Sequence, residues 1–211
     1  AIESYNRTIE LDEPTSYALL RIGKCHEKLG NKVQALKYFN KTVHEDPLLD
    51  KGWIAITDFY VRQKNYQKAL FFVNKALAID NQNRLYWKRF ASINKQLNLF
   101  EEAEFGYRKA VEFGDYQLDT WLFWVDILQF LGEFESAIQT LLQASEYFPE
   151  ENEVEYRLAG LYFMIQQTTK AKFHLSNALR LNFDNYTLLE DLFPVVWARK
   201  MVQNYIAKHT K

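Results

Sequence analysis

Residues 50–83 read DKGWIAITDFYVRQKNYQKALFFVNKALAIDNQN, and this 34-residue stretch decides the fold. Its tryptophan, Trp53, returns at Trp87 and Trp121, each time 34 residues further along the chain. A sequence that repeats itself at a fixed period of this length is typical of a stacked-repeat protein, in which each repeat is one supersecondary unit. The spacing therefore predicts the architecture before any functional motif is considered.

Small and large residues follow the same period. Alanine or threonine recurs at Ala35, Ala69, Ala103, Ala137 and Ala171, and at Thr42, Ala76, Ala110, Ala144 and Ala178. Large residues recur at Phe39, Val73, Tyr107, Leu141 and Leu175. Because a small side chain allows two helices to approach closely and a larger one would overpack the contact, each unit is predicted to hold two packed helices. Gly30, Asn98 and Gly132 suit a left-handed cap that ends the first helix of a unit.

With tryptophan, alanine and a closing proline in this order, the chain resembles the tetratricopeptide-repeat (TPR) family. The resemblance covers nearly all of the sequence. It implies an all-α fold, a right-handed solenoid (TPR superhelix) of antiparallel helix pairs with a C-terminal capping helix. The predicted repeats are 16–49, 50–83, 84–117, 118–151 and 152–185, joined in one continuous solenoid domain. Pro47 and Pro149 close two repeats, whereas Asn81, Asp115 and Phe183 stand in the equivalent places.

Both ends depart from the full repeat. Residues 1–13 match the second helix of a truncated repeat, so we expect further repeats to precede this sequence. The open face of such a half-repeat could dimerise, as an artefact of truncation. Residues 186–211 have an apolar face and basic remaining positions, and Pro194 is predicted to start or kink a helix there. A helix that caps the last repeat is favoured over a basic helix on a membrane surface.

Composition excludes several classes of protein. Only 7 Gly and 4 Pro occur among 211 residues, too few for an all-β or glycine-loop architecture. No apolar run reaches the ~18 residues that a transmembrane helix needs, so no membrane insertion is predicted. The single cysteine, Cys25, forms no internal disulfide. This leaves the compartment open, with the cytoplasm favoured.

Catalytic chemistry is not indicated. The sequence lacks the phosphate-loop, dinucleotide, zinc-protease and serine-hydrolase motifs. Its histidines, His26, His44, His174 and His209, do not recur beside cysteines or carboxylates at ligand spacing. We therefore predict no enzyme activity, no metal and no cofactor.

Binding remains as the predicted function. In the resembling family the first helix of each repeat lines the inner face of a groove that holds partner peptides. Exposed inner positions carried over from that pattern include Tyr17, Lys24, Leu85 and Gly160. The partner-binding residues predicted in this groove are Lys51, Asp58, Arg62, Lys88, Ser92, Lys95, Asp119, Leu122, Asp126, Phe130, Tyr156 and Phe163.

Charge is distributed in bands, although the net charge is only −1. Residues 110–156 contain eleven Asp and Glu and no Lys or Arg, whereas residues 1–109 carry 18 basic residues against 13 acidic ones. We hypothesise that a partner segment with basic and apolar side chains lies over the fourth and fifth repeats, because complementary charge steers an encounter. The alternative is that these acids only keep the protein soluble.

A helical repeat can also bind nucleic acid or serve as a structural element. Nucleic acid is not favoured as a partner, because Glu27 and Asp58 interrupt the basic positions and the acidic band would repel a phosphate backbone. A structural spacer, or the recognition arm of a larger protein whose activity lies N-terminal to this sequence, is the alternative to a protein-binding scaffold.

Overall fold

The computed structural model of the protein describes residue 2 and residues 15–209. Each predicted repeat forms two α-helices, so the predicted all-α fold of antiparallel helix pairs is confirmed. The helices of the repeats are α1 Thr15–Lys28, α2 Lys32–Glu45, α3 Asp50–Arg62, α4 Tyr66–Ile79, α5 Arg84–Gln96, α6 Phe100–Glu112, α7 Leu118–Phe130, α8 Phe134–Tyr147, α9 Asn152–Met164 and α10 Thr168–Leu181. A 3₁₀ turn, Phe183–Tyr186, and the helices α11 Thr187–Leu192, α12 Pro194–Trp197 and α13 Lys200–Ala207 follow.

These elements form two compact units. The first unit is Ala1–Asp115 and includes α1 to α6, and the second is Tyr116–Lys211 and includes α7 to α13. The half-repeat predicted at residues 1–13, and the dimer contact assigned to it, lie outside the described residues.

Every first helix ends in the same way. The residue two places beyond the helix has a positive φ in all five repeats: Gly30 (78°), Lys64 (55°), Asn98 (60°), Gly132 (78°) and Gln166 (62°). In the first repeat the N–H of Asn31 donates to the carbonyl of His26 at 2.9 Å, and the N–H of Gly30 donates to that of Glu27 at 3.0 Å. This pair of hydrogen bonds is the Schellman cap. The prediction for Gly30, Asn98 and Gly132 is thus confirmed, and it extends to two positions that lack glycine or asparagine.

The predicted small residues lie in the core. All nine alanines of the two series, and Thr42, have no exposed surface. The large residues of the period, such as Phe39 in the first unit and Leu141 in the second, are equally buried. Alanine therefore sets the close approach of the helices, and the large residues fill the space beside them.

Tryptophan has a defined role in the period. The indole N–H of Trp53 donates to the carbonyl of Pro47, and that of Trp87 donates to the carbonyl of Asn81, both at 2.8 Å. Each tryptophan thereby fixes the turn that precedes its own helix. Within the described part of the chain, the buried indole N–H of Trp121 has no acceptor.

The C-terminal cap is not the single helix that was predicted. Pro194 begins α12, because its ring fits the first turn of a helix but cannot continue one. The preceding residue, Phe193, has an extended φ of −135°, which separates α12 from α11. Leu189 and Phe193 pack in the same apolar core as the side chains of α9. The segment 183–207 therefore covers the last repeat, as a chain of short helices.

Candidate functional site

The first helices carry the predicted partner-binding positions, in two separate groups. α1, α3 and α5 belong to the first unit, and α7 and α9 belong to the second. The exposed members of the predicted set are Lys51, Arg62, Ser92, Asp119 and Phe130. The partly exposed members are Asp58, Lys88, Lys95 and Asp126. The predicted set thus remains accessible at nine of its twelve positions.

Burial corrects the prediction at the other three. Leu122, Tyr156 and Phe163 are buried, and for the two aromatic residues of α9 the burial is almost complete. The hydroxyl of Tyr156 donates to the carbonyl of Asn182 at 2.8 Å. Burial raises the pKa of this phenol well above its usual range. All three side chains belong to the apolar core of the second unit, and Tyr156 also bonds the end of its own repeat.

Gly160 explains why α9 is covered. It was expected on the open inner face, yet a Cβ atom placed on it would lie 2.3 Å from the Phe193 ring. Absence of a side chain therefore lets the ring lie directly on the helix backbone. The guanidinium of Arg199 donates to the carbonyl of Phe163 at 3.0 Å, further along the same helix. The chain itself occupies this part of the first-helix face.

Ion pairs join the first helices of neighbouring repeats within each unit. Arg89 of α5 donates to both oxygens of Asp58 on α3, at 2.7 and 3.1 Å. In the second unit, Arg157 of α9 donates to Asp126 of α7 at 2.6 Å. Both pairs span 31 residues, so an acid in one repeat meets an arginine at a fixed place in the next. The hydrogen bond with Asp58 raises the pKa of Arg89, although burial opposes that shift.

Other charged positions of the predicted set are paired as well. Arg62 contacts Glu27 in a hydrogen-bonded ion pair. The Nζ atom of Lys88 lies 3.9 Å from a carboxylate oxygen of the buried Asp115. The positive and negative charges expected along the inner face are therefore partly neutralised by one another, which lowers the field that a partner would meet.

A continuous stripe on α7 stays exposed. Asp119, Phe123, Asp126 and Phe130 follow one another at intervals of four, three and four residues, which places them on one side of the helix. Phe123 is 38 % exposed and Phe130 is 66 % exposed. Sequence reasoning included three of these residues and missed Phe123, although its helical spacing from Asp119 was available as a signal.

The described residues were compared with the requirements of a metal site and of a membrane-spanning helix. No group of three or more His, Cys, Asp or Glu side chains is arranged there to hold a metal ion. Among residues 15–209, the helices are too short or too polar to cross a lipid bilayer.

Part of the chain matches a known protein family. The family model described as tetratricopeptide repeat matches residues 17–48. The same 34-residue period and the same helix cap recur in the other four repeats. The chain is a tetratricopeptide-repeat protein. Repeats of this kind are in general scaffolds for protein–protein interaction.

Solved structures of other TPR proteins share the fold. YrrB, described as a TPR protein with an unusual peptide-binding site, is 18 % identical with a TM-score of 0.74, and the match covers 90 % of this chain and 98 % of YrrB. MamA is 14 % identical with a TM-score of 0.69, over 84 % of this chain and 94 % of MamA. At these identities the likeness concerns the fold alone.

Curated relatives are longer than this chain. The pre-mRNA-splicing factor CLF1 of Candida glabrata is 26 % identical over 104 residues, which is 49 % of this chain and 15 % of CLF1. The human protein O-mannosyl-transferase TMTC1 is 24 % identical over 166 residues, which is 76 % of this chain and 19 % of that protein. The matched TPR region is thus less than a fifth of either relative.

Proposed function

We propose that this TPR protein binds, without catalysis of its own, a partner segment that carries basic and apolar side chains. The segment lies along the stripe of α7, within the second unit. The observation that carries the proposal is the alternation of carboxylates and phenyl rings at Asp119, Phe123, Asp126 and Phe130. Phenyl rings supply apolar contact area, while the acids select a basic partner.

We place the proposed contact on one helix, α7. A partner over the fifth repeat would have to displace Phe193 from Gly160, so we confine the proposed contact to α7. Asp126 already accepts a hydrogen bond from Arg157. Asp119 and Phe130 are both exposed and lie at opposite ends of the stripe, so we choose these two residues for the test of binding.

A selection from a display library of random peptides tests this proposal with defined ligands. We expect the peptides retained by the wild-type chain to be enriched in Lys or Arg together with apolar residues. Asp119→Lys with Phe130→Ser should weaken their binding by at least about tenfold, or ~1.4 kcal/mol. The matched control is Asp184→Lys with Phe173→Ser, which changes the same residue types at exposed places on other elements of the unit.

Two results would contradict the proposal. One is a set of selected peptides without a basic bias. The other is equal binding by the Asp119→Lys/Phe130→Ser variant and the control variant, which would move the binding site away from α7.

A second candidate is that the chain is the recognition arm of a larger protein. The observation in its favour is that 76 % of the chain matches a region that makes up only 19 % of a mannosyl-transferase. In that case, deletion of this region from the intact protein should impair recognition of a protein partner while its chemical activity on a small substrate persists. Loss of both would argue for a structural spacer.

A further inference from the structure

The second helices of the first unit present a row of lysines that is not part of the partner site proposed on α7. Lys41, Lys75 and Lys109 are 34 residues apart and therefore occupy the same place on α2, α4 and α6. The ammonium group of each lies over an aromatic ring of its own helix: Tyr38 at 5.5 Å, Phe71 at 5.3 Å and Phe105 at 5.8 Å from the ring centroid. We call these six residues the lysine–aromatic row.

Two rings of the row are unusually exposed for phenylalanine. Phe71 is 56 % exposed and Phe105 is 39 % exposed. Lys109 is paired with Glu112 at 2.6 Å, but within residues 15–209 no carboxylate forms an ion pair with Lys41 or Lys75. The row thus combines positive charge with apolar surface, and exposed combinations of this kind are typical of interaction sites.

The second unit carries the complementary surface at the equivalent place. Gln139 and Gln143 stand on α8 where the row has an aromatic residue and a lysine, and Glu135 and Glu146 lie on the same side of that helix. The segment 110–156 contains no basic residue. This side of α8 is therefore purely acidic and amide-bearing.

Two exposed tyrosines lie at the end of α8 that carries Glu146. Tyr147, at the end of α8, and Tyr116, which precedes α7, have ring centroids 5.1 Å apart, and more than half of each residue is exposed. Tyrosine rings accept the ammonium group of lysine on their faces and the edges of phenylalanine rings. We call Tyr116, Glu135, Glu146 and Tyr147 the acidic–tyrosine face.

We propose that the chain associates with a second copy of itself, with the lysine–aromatic row of one copy against the acidic–tyrosine face of the other. Opposite charge supports this choice of occupant. Residues 1–115 hold eighteen Lys and Arg against fifteen Asp and Glu, a net of +3, and residues 116–211 hold eight against twelve, a net of −4. A chain whose net charge is near zero while its two units differ in sign favours association between unlike ends.

The geometry of such a contact determines its consequence. Two different surfaces meet, so the interface is heterologous, and each copy keeps one row and one face available for another neighbour. Each exposed ion pair is weak and is screened by salt. The association is therefore expected to be reversible, dependent on concentration and sensitive to ionic strength. This self-association does not involve the partner site proposed on α7.

Sedimentation velocity of the full chain tests this inference. At about 0.03 M ionic strength the mass should rise above the 25.1 kDa of one chain as the protein concentration increases. At about 0.5 M the sample should be monomeric. Lys41→Glu with Lys75→Glu should weaken the association at low salt by at least about tenfold, and Glu135→Lys with Glu146→Lys should do the same.

Two further variants make the test specific. The chain that carries all four reversals should regain association, because each surface then meets a partner of the opposite sign once more. Lys24→Glu with Lys51→Glu changes the charge of the first unit by the same amount on its first helices, and it should leave the association unchanged. All four substituted positions of the row and the face are exposed, so the variants are expected to fold.

Three results would overturn the inference. A wild-type chain that is monomeric at every concentration at low salt would exclude association with a second copy. An association that persists at about 0.5 M salt and is equal in all variants would indicate an apolar contact elsewhere in the chain. An effect of Lys24→Glu/Lys51→Glu as large as that of the row variant would show that only net charge matters.

Discussion

The two units use the same repeat, but they differ in what covers their first helices. Positions 24, 58, 92, 126 and 160 are equivalent in the period. In the first unit Lys24 and Ser92 are exposed, whereas in the second unit Gly160 is buried beneath the Phe193 ring. The period determines where helices form, and at Gly160 the segment that follows the repeats packs directly on a first helix.

Of the substitutions that compare the two units, removal of the Phe193 ring should lower the free energy of unfolding most. Phe193→Ala leaves a cavity over Gly160 in the core of the second unit, and we expect a loss of ~3–5 kcal/mol in the free energy of unfolding. Urea denaturation of the full chain measures it, with Phe71→Ala as the control because that ring is exposed. Equal losses in the two variants would contradict the claim that the C-terminal segment is integral to the second unit.

Sequence analysis anticipated the parts of the fold that depend on the period. The buried alanines and the caps at Gly30, Asn98 and Gly132 follow from local geometry, which every repeat must satisfy in the same way. By contrast, Tyr156 and Phe163 were predicted to be exposed, since the repeat pattern alone does not show that a later segment returns to cover α9. Phe193, which packs on Gly160 of the same helix, lies outside the repeats and has no place in their period.

The charged positions likewise show that the pattern of one repeat does not reveal contacts with another part of the chain. Asp58 and Asp126 were correctly placed on first helices, but their arginine partners belong to the next repeat. An interaction 31 residues apart is not visible in the pattern of a single repeat. Comparison of neighbouring repeats could have revealed it, because both pairs have the same spacing.

These two equivalent ion pairs provide the next test of the comparison. The side chain of Arg157 is 7 % exposed, whereas that of Arg89 is 36 % exposed. Asp126→Asn removes the negative charge that faces the buried guanidinium of Arg157. We expect this substitution to lower the free energy of unfolding by ~1–3 kcal/mol. Asp58→Asn should cost only ~0.2–1 kcal/mol, because water can solvate Arg89.

Denaturation of both variants in parallel would measure this difference. Glu153 still accepts a hydrogen bond from Arg157 at 3.0 Å, so the cost of Asp126→Asn stays below that of a fully orphaned charge. Equal costs in the two units would show that burial of the arginine does not distinguish them.

The smallest effects should arise at the caps, where the two units are alike. Lys64 in the first unit and Gln166 in the second hold a positive φ that favours glycine. Lys64→Gly and Gln166→Gly should each raise the free energy of unfolding by ~0.5–1 kcal/mol, since the gain from relieved strain exceeds the entropic cost of glycine. Gly30→Ala and Gly132→Ala should each lower it by ~1 kcal/mol.

Among the described residues, and apart from the two chain neighbours, no heavy atom lies within 4 Å of a Cβ placed on Gly30 or Gly132, so the backbone conformation determines the cost of these two substitutions. Denaturation of the four cap variants would therefore compare the units without any change in packing. If the free energy of unfolding changes equally in both units, the units differ only in the segment that covers α9 and in the burial of Arg157. A larger shift in one unit would mean that its caps also support contacts beyond the local turn, and that the units already differ at the level of the single repeat.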